Sequence, residues 1–286
     1  MSTPPYTLTL PKAHTTSVVF ASPHSGRYYP PAFIQDSVLD EHALRSSEDA
    51  YVDLLYAAVP EHGAPMLMSN TPRAYVDLNR GPEELDPALI NGLRRVDHNP
   101  RVSSGLGVIP RVVAGGRAIY RGKMSLRDAQ ARLAQHWHPY HKALQSLLDR
   151  SHTTFGEAIL IDCHSMPHEA VSSLCKGKRR CPQIVLGDRF GASAAPDIVG
   201  RVEAAFARAG FETARNTPFS GAYMAQHYGR PSRGQHVVQV EIDRSLYLDE
   251  QMVRPNGDFS QIRARLSSVI AEIAEIGRSE NALAAE

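Results

Sequence analysis

Short apolar runs of strand length alternate along the chain with longer segments whose apolar residues recur at helical spacing. Four of these runs predict buried strands, at residues 17–21, 158–161, 183–187 and 236–242. Because the runs are continuous rather than alternating, they are typical of strands covered on both faces. The order of strands and helices predicts an α/β fold, a single domain over residues 1–286 with a central, mostly parallel mixed sheet flanked by helices.

Three segments have the apolar spacing of amphipathic helices. The first begins at Ser125 with a capping box and is expected to kink or divide at Pro139. The second is expected to begin near Pro196 and to end just before Gly210, and the third closes the chain around residues 262–273. Helices of this kind supply the layers that cover a sheet.

Three further segments carry weaker signals. Residues 46–49 resemble a helix start, and apolar residues at helical spacing continue to Val59, where Pro60 is expected to stop the helix. Residues 75–79 alternate like a strand or an extended edge. Residues 81–105 are rich in Gly, Pro, Asn and charged residues, which predicts irregular structure.

Composition argues against several classes of protein. The 286 residues carry a formal net charge of +1, so no global basic field favours nucleic acid. No apolar run approaches the length of a membrane span, and the first residues lack the pattern of a secretory signal. The three cysteines leave one over from any pairing, which favours a reducing cytoplasm. We therefore expect a cytoplasmic protein that binds neither nucleic acid nor membranes.

Residues with metal-binding side chains accompany three of the predicted strands. His24 and His164 follow the first two, and Glu241 lies near the end of the last. Open α/β sheets place ligands at the carboxyl ends of their strands, so these side chains are expected to meet at one edge. Two histidines and one carboxylate form a common catalytic zinc site, and iron, cobalt or nickel accept the same donors. Asp49 or Glu48 could supply the carboxylate, although acids at a helix start also offset the helix dipole.

Two other groups of reactive residues have simpler explanations. His136 and His138 would point about 200° apart on a helix, so together with His141 they are not expected to share a metal. Cys163 and His164 are neighbours on a predicted strand and face opposite sides. They are therefore not expected to act as the nucleophile and base of a cysteine hydrolase.

Six short segments, in this order along the chain, resemble the N-formylglutamate amidohydrolase family. They are PHSG at 23–26, EDAYVD at 48–53, YVDLNR at 75–80, DCHS at 162–165, NTPFSGAY at 216–223 and VEIDRSLY at 240–247. Each motif is short, but the ordered set extends over most of the chain. The resemblance implies a fold related to the zinc carboxypeptidases and aspartoacylases, with one zinc ion per chain. It also implies hydrolysis of N-formyl-L-glutamate to L-glutamate and formate.

The resemblance also implies roles for single residues. The metal ligands are matched by His24, His164 and Asp49, with Glu48 as the alternative to Asp49. Glu241 matches the general base, which takes a proton from the metal-activated water and later passes it to the leaving amine. Asp162 could orient a ligand histidine, or it could simply cap a loop.

Substrate recognition requires cations, because N-formylglutamate carries two carboxylates and arginine binds a carboxylate through two parallel N–H bonds. Asn79 and Arg80 match the family's Asn-Arg pair, which is expected to hold the scissile carbonyl and a carboxylate. The secondary candidates are Arg73, Arg111, Arg244, Asn216 and Tyr223. Surface ion pairs and aromatic packing are the simpler explanations for this second group. The basic run at 176–180 is either a solvated loop or a lid that attracts an anionic substrate.

These expectations describe a zinc-dependent amidohydrolase that acts on a small anionic N-acyl amino acid, as a monomer or a small homo-oligomer. A related metallo-deacylase or carboxypeptidase, acting on another N-acyl amino acid or short peptide, fits the same residues. Outside the enzymes, the alternative is a non-catalytic protein that binds an anionic ligand. The intact set of His24, Asp49, His164 and Glu241 favours an enzyme.

Overall fold

The computed structural model describes residues 3–93, 99–172, 175 and 181–278. Its strands are β1 Tyr6–Thr9, β2 Val18–Ser22, β3 Met66–Ser69, β4 Ile90–Asn91, β5 Met124–Ser125, β6 Ala158–Met166, β7 Ile184–Gly187, β8 Thr213–Arg215, β9 Gln235–Asp243, β10 Leu248–Asp249 and β11 Arg254–Pro255. Over these described residues, seven strands form one sheet in the order β1-β3-β2-β6-β9-β7-β8. Two small sheets pair β4 with β5 and β10 with β11.

The centre of the large sheet is parallel. Strand β6 pairs in parallel with β2 on one side and with β9 on the other, whereas β7 runs antiparallel to β9. Side chains are buried along the whole of β2 and β6 and along all of β9 after its first residue. The predicted α/β class with a mostly parallel mixed sheet is confirmed, and the continuous apolar runs reflect this burial on both faces.

Helices flank the sheet. The α-helices of the described residues are α1 Pro31–Asp36, α2 Glu41–Arg45, α3 Val52–Leu55, α4 Pro100–Ser103, α5 Leu126–Arg132, α6 His138–Phe155, α7 His168–Ser172, α8 Pro196–Arg208, α9 Tyr223–Tyr228 and α10 Phe259–Ile276. Short 3-10 turns lie at Val59–His62, Ala114–Gly116, Pro231–Arg233 and Arg244–Leu246. None of the helices in these ranges is both long and apolar enough to cross a membrane.

The chain divides into two compact units. One consists of Met1–Thr7, Pro23–Ala50 and Met68–Ala143, and the other of Leu8–Ser22, Tyr51–Leu67 and Leu144–Glu286. The first unit contains an apolar cluster around Phe33, and the second contains the central strands β2, β6 and β9. The assignment of residues 1–286 to one domain stays a prediction.

The predicted helix from residue 46 to Val59 is wrong. The first helix of this region is α2, which begins before the predicted start. Asp40 caps it by accepting a hydrogen bond from the backbone N–H of Ala43 at 2.7 Å. Ser46 is at the other end of α2, and its hydroxyl donates to the carbonyl oxygen of Ala43. Only one short turn, α3, follows, and Pro60 lies inside a 3-10 turn rather than ending a helix.

The predicted strand at residues 75–79 is also absent. The chain turns here, since the backbone N–H groups of Tyr75 and Val76 both donate to the carbonyl oxygen of Pro72. The backbone N–H of Asp77 donates to Val108, at a distant point of the same unit. The alternation of side chains in this segment therefore reflects a loop that is packed on both sides rather than a strand.

The helix predicted from Ser125 exists and is divided. Ser125 caps α5 by accepting a hydrogen bond from the N–H of Asp128. A π turn at Leu133–Trp137 then separates α5 from α6, whose first turn contains Pro139. Because proline has no N–H, it cannot continue the regular helical ladder, which explains why the helix divides at this point.

Two of the three cysteines are bonded to each other. Cys175 and Cys181 form a disulfide, and Cys163 is a buried free thiol on β6. The sequence does not predict this bond, because an odd cysteine count says nothing about which side chains meet. The basic run between the two bonded cysteines, residues 176–180, lies outside the described residues, so its role as a lid or a solvated loop stays a prediction.

Candidate metal centre

His24 lies just beyond the end of β2, in the loop formed by residues 23–26. Its Nε2 lies 2.7 Å from Oδ1 of Asp77, and its Nδ1 lies 3.3 Å from Oδ2 of Asp49. Both carboxylates can only accept hydrogen bonds, and the shorter distance, to Asp77, favours donation from Nε2. The lone pair on Nδ1 therefore points toward Asp49, where a metal ion would be bound.

The loop that carries His24 requires glycine at residue 26. A Cβ atom at Gly26 would lie 2.2 Å from the backbone carbonyl oxygen of Thr71, which is far inside van der Waals contact. Only the absence of a side chain lets the two backbone segments approach so closely. The Pro-His-Ser-Gly sequence thus places His24 against the 70–80 segment, which supplies Asp77.

His164 has an equivalent arrangement on the central strand β6. It lies on β6, which continues to Met166, so the strand extends beyond the predicted run at residues 158–161. Its Nε2 lies 2.8 Å from Oδ1 of Asp162, two residues earlier on the same face of the strand. Asp162 therefore orients the ring of His164 and does not cap a loop.

The structure brings His24, Asp49 and His164 together. One ligand atom from each residue lies within 4.8 Å of the ligand atoms of the other two, and all three side chains are buried. Two imidazole nitrogens and one carboxylate oxygen are the donors of catalytic zinc sites with three protein ligands. The donor set therefore fits a divalent transition metal.

Glu48, the alternative ligand, faces other partners. Its Oε1 accepts a hydrogen bond from the hydroxyl of Tyr29 at 2.8 Å, and both of its oxygens accept from the guanidinium of Arg45. Burial raises the pKa of the Glu48 carboxyl, while the bonds from Arg45 and Tyr29 oppose that rise. Because its carboxylate is bound in this way, the geometry favours Asp49 as the acidic ligand.

Asp77 belongs to the site and was missed in the sequence analysis. Its carboxylate accepts hydrogen bonds from His24, from Nε of Arg73 at 3.0 Å and from the backbone N–H of Asn79 at 2.8 Å. Burial alone would raise the pKa of this carboxyl, but the positive charge of Arg73 and the interaction with His24 hold it well below its usual value. The Tyr-Val-Asp-Leu-Asn-Arg motif contains Asp77, yet only the fold shows which histidine it contacts.

Glu241 lies beside His164 in the sheet. The two residues are register partners on the parallel strands β6 and β9. The Nε2 amide of Gln239 donates to Oε1 of Glu241 at 2.8 Å, and the backbone N–H of Ala222 donates to Oε1 of Gln239 at 3.0 Å. Gln239 therefore joins Glu241 to the loop before α9, a connection that sequence spacing alone does not reveal.

Arg80 is a buried cation with neutral partners. Its side chain is 7% exposed, and its guanidinium donates to the backbone carbonyl oxygens of Leu106 at 3.1 Å and Asn79 at 2.8 Å. Burial lowers the pKa of Arg80, and over the described part of the chain no carboxylate forms an ion pair with it. A buried guanidinium of this kind favours an anionic ligand.

The secondary arginine candidates have partners within the protein. Arg73 pairs with Asp77, and Arg111 pairs with the buried Asp86 at 2.8 Å. Arg244 is buried and donates to both the hydroxyl and the carbonyl of Ser165. These contacts give each arginine a structural role, and substrate binding by any of them stays a prediction.

The two other candidates lie in the segment before and within α9. Both ends of the Asn216 amide bind the loop at residues 188–190, since its oxygen accepts from two backbone N–H groups and its nitrogen donates to Asp188 at 2.6 Å. Tyr223 begins α9 and stacks on His227, with ring centroids 4.9 Å apart. Contacts of either residue with a substrate stay predictions.

Comparisons with known proteins agree on one family. The family model described as N-formylglutamate amidohydrolase matches residues 16–248. N-formylglutamate deformylase of Pseudomonas aeruginosa is 33% identical over 238 residues, which cover 82% of this chain and 83% of that protein. N-formylglutamate deformylase of Pseudomonas putida is 29% identical over 236 residues, 82% of each chain. The crystal structure of N-formylglutamate amidohydrolase from Ralstonia eutropha JMP134 superposes with a TM-score of 0.89 at 33% identity, over 96% of this chain and 98% of that one.

Proposed function

Because the chain belongs to the N-formylglutamate amidohydrolase family, we propose that it hydrolyses the formyl amide of N-formyl-L-glutamate to L-glutamate and formate. The resemblance noted in the six sequence segments is thereby confirmed. The observation that carries the proposal is the buried group of His24, Asp49 and His164, with Glu241 on the strand next to His164. The cytoplasmic location and the oligomeric state stay predictions.

We assign the metal to His24, Asp49 and His164, with zinc as the expected ion. When bound, such an ion supplies a Lewis acid that polarises the amide carbonyl and lowers the pKa of a water molecule. Asp77 and Asp162 hold the two histidine rings with Nδ1 directed at the ion, because each accepts a hydrogen bond from Nε2.

Glu241 acts as the general base and then as the general acid. It takes a proton from the attacking water as the oxygen of that water bonds to the formyl carbon. The same carboxyl gives the proton to the amine nitrogen as the C–N bond breaks, which releases formate and the free amino group of glutamate. The hydrogen bond from Gln239 keeps the Glu241 carboxylate in one orientation during both transfers.

Asn79 and Arg80 bind the substrate in this proposal. The guanidinium of Arg80 attracts the side-chain carboxylate of the substrate, since a buried cation gains more from an anion than an exposed one does. The Asn79 side chain, which is buried beside Asp77, orients the scissile carbonyl. An acidic amino acid is thus preferred over a neutral one.

The test is a panel of substrates assayed with zinc-loaded protein. N-formylglutamate, N-acetylglutamate and N-formylleucine are compared by release of free amine, with and without a chelator. We expect the fastest release from N-formylglutamate and its loss after chelation. Faster release from the acetyl substrate would instead indicate a related metallo-deacylase, and no release from any substrate would indicate a binding protein.

A further inference from the structure

The helical segment from Leu133 to His141 holds the backbone on both sides of Asn79. The indole Nε1 of Trp137 donates to the carbonyl oxygen of Arg80 at 2.9 Å. Nε2 of His141 lies 2.9 Å from the carbonyl oxygen of Leu78, and since a carbonyl only accepts, Nε2 of His141 carries the proton. Two side chains of one helical segment thus bind the peptide groups that flank the proposed substrate residue.

The two side chains form one rigid unit. Their rings stack with centroids 3.9 Å apart and an interplanar angle of 29°, and both are buried. Trp137 is the last residue of the π turn, and His141 lies four residues later in α6, on the same helix face. The division of the helix at the π turn therefore presents an aromatic pair of fixed geometry, as π turns often do at functional sites.

A third contact anchors the beginning of the same loop. Nδ1 of His136 lies 2.8 Å from the hydroxyl oxygen of Thr71, and its ring packs edge-on against Tyr75 at 5.3 Å. The segment from Thr71 to Arg80 forms no strand or helix, so its conformation depends on contacts of this kind. His136 and His141 therefore bind a loop rather than a metal.

We propose that Trp137 and His141 are positioning residues that set the preference for acidic substrates. They fix the carbonyl groups of Leu78 and Arg80, and thereby the direction in which the Arg80 guanidinium points. The guanidinium is also bound to the carbonyl oxygen of Asn79, so a rotation of this peptide group moves the cation. The inference rests on the proposed function, because it assumes that Arg80 binds the side-chain carboxylate of the substrate.

The prediction follows from the loss of a single donor. Trp137→Phe keeps an aromatic ring and removes the N–H, and His141→Leu removes the donor to Leu78. Without its hydrogen-bond donor, the buried carbonyl no longer holds its peptide group in one orientation. We therefore expect KM for N-formylglutamate to rise about tenfold in each variant. The value of kcat and the KM for N-formylleucine should change by less than about twofold, because neither depends on the contact between Arg80 and a side-chain carboxylate, which N-formylleucine lacks.

Two variants separate positioning from general damage to the fold. His141→Gln places an amide N–H near the position of Nε2, so it should restore most of the affinity that His141→Leu loses. His138→Leu is the matched control, because His138 is exposed and touches Trp137 only at the ring edge. It should leave both KM values unchanged.

The experiment is a steady-state comparison of these four variants, wild type and Arg80→Ala. Each protein is assayed on N-formylglutamate, which has an acidic side chain, and on N-formylleucine, which has a neutral one. Loss of acid preference in Trp137→Phe and His141→Leu, with rescue in His141→Gln, supports the inference. If Arg80→Ala loses the preference while the Trp137 and His141 variants keep it, or lose activity equally on both substrates, positioning by the aromatic pair is wrong. If wild type itself shows no preference for the acidic substrate, the proposed function fails and the inference falls with it.

Discussion

Gln239 donates a hydrogen bond from Nε2 to Oε1 of Glu241, and the backbone N–H of Ala222 decides which end of the amide faces the carboxylate. A backbone N–H can only donate, so it must face the amide oxygen, and the amide nitrogen is left toward Glu241. Gln239 is 4% exposed, so water does not readily replace either bond. The general base in our proposal is therefore oriented by a neighbour two residues away.

The first prediction concerns this orientation. Gln239→Met keeps the length of the side chain and removes both hydrogen bonds, so kcat should fall about tenfold while the bound metal is retained. Gln226→Met is the matched control, because Gln226 is exposed on α9. Steady-state kinetics and metal analysis of both variants provide the test. Unchanged kcat in Gln239→Met would show that Glu241 needs no such support.

The second prediction concerns the base itself. Glu241→Gln preserves the shape of the side chain but cannot accept a proton from water, so kcat should fall by about 100-fold or more. Metal content should stay at the wild-type value, because Glu241 is not one of the proposed ligands. A variant with normal turnover would assign the proton transfer to another group.

The third prediction separates the two neighbouring acids. Asp49→Asn weakens a proposed ligand and should lower the metal content of the purified protein, with loss of activity. Glu48→Gln should retain the metal, because its carboxylate is bound to Tyr29 and Arg45. Elemental analysis after dialysis against a weak chelator measures the difference. The opposite pattern would make Glu48 the ligand.

The fourth prediction concerns the carboxylate behind His24. Asp77→Asn removes the charge that fixes the ring of His24, so the affinity for zinc should fall about 10- to 100-fold. Asp86→Asn is the matched control, since Asp86 is another buried carboxylate paired with an arginine. Competition with a chelator of known affinity gives both values. Equal affinity in the two variants would mean that Asp77 does not act through the metal.

The fifth prediction concerns pH and stability. Nδ1 of His168 lies 2.8 Å from Oδ2 of Asp243, and this hydrogen bond and the charge of Asp243 raise the pKa of His168. The ion pair therefore stabilises the folded protein fully at pH values below the pKa of histidine in the unfolded chain, about 6.5. This stabilisation is lost as the pH rises through the raised pKa of His168 in the folded protein.

His168 is 49% exposed, so solvent screening limits the effect to about 0.5 kcal/mol. Denaturant unfolding of wild type and His168→Leu should differ by this amount near about pH 5.5 and by less near about pH 8.5. A difference that does not change with pH would exclude a contribution from the ion pair.

Local pattern was sufficient for the central strands. The apolar runs that become β2, β6, β7 and β9 were predicted because burial on both faces leaves a direct signature in the sequence. The weaker helix signal at 46–59 was wrong, since Asp40 caps an earlier helix and the serines bind back to its end. A serine hydroxyl can form a hydrogen bond with the backbone at either end of a helix, so serine residues alone do not define where a helix begins.

The sequence by itself determined which residues could bind a metal, because His24, His164 and the acids near residue 49 follow from residue type and motif order. The tertiary structure decided how they are supported. Asp77 and Gln239 join the site, and Trp137 and His141 bind a loop rather than a metal, through contacts between segments far apart in the chain. Hydrogen bonds of this kind depend on where the folded backbone places its carbonyl and N–H groups. The spacing of residues within one segment does not determine those positions.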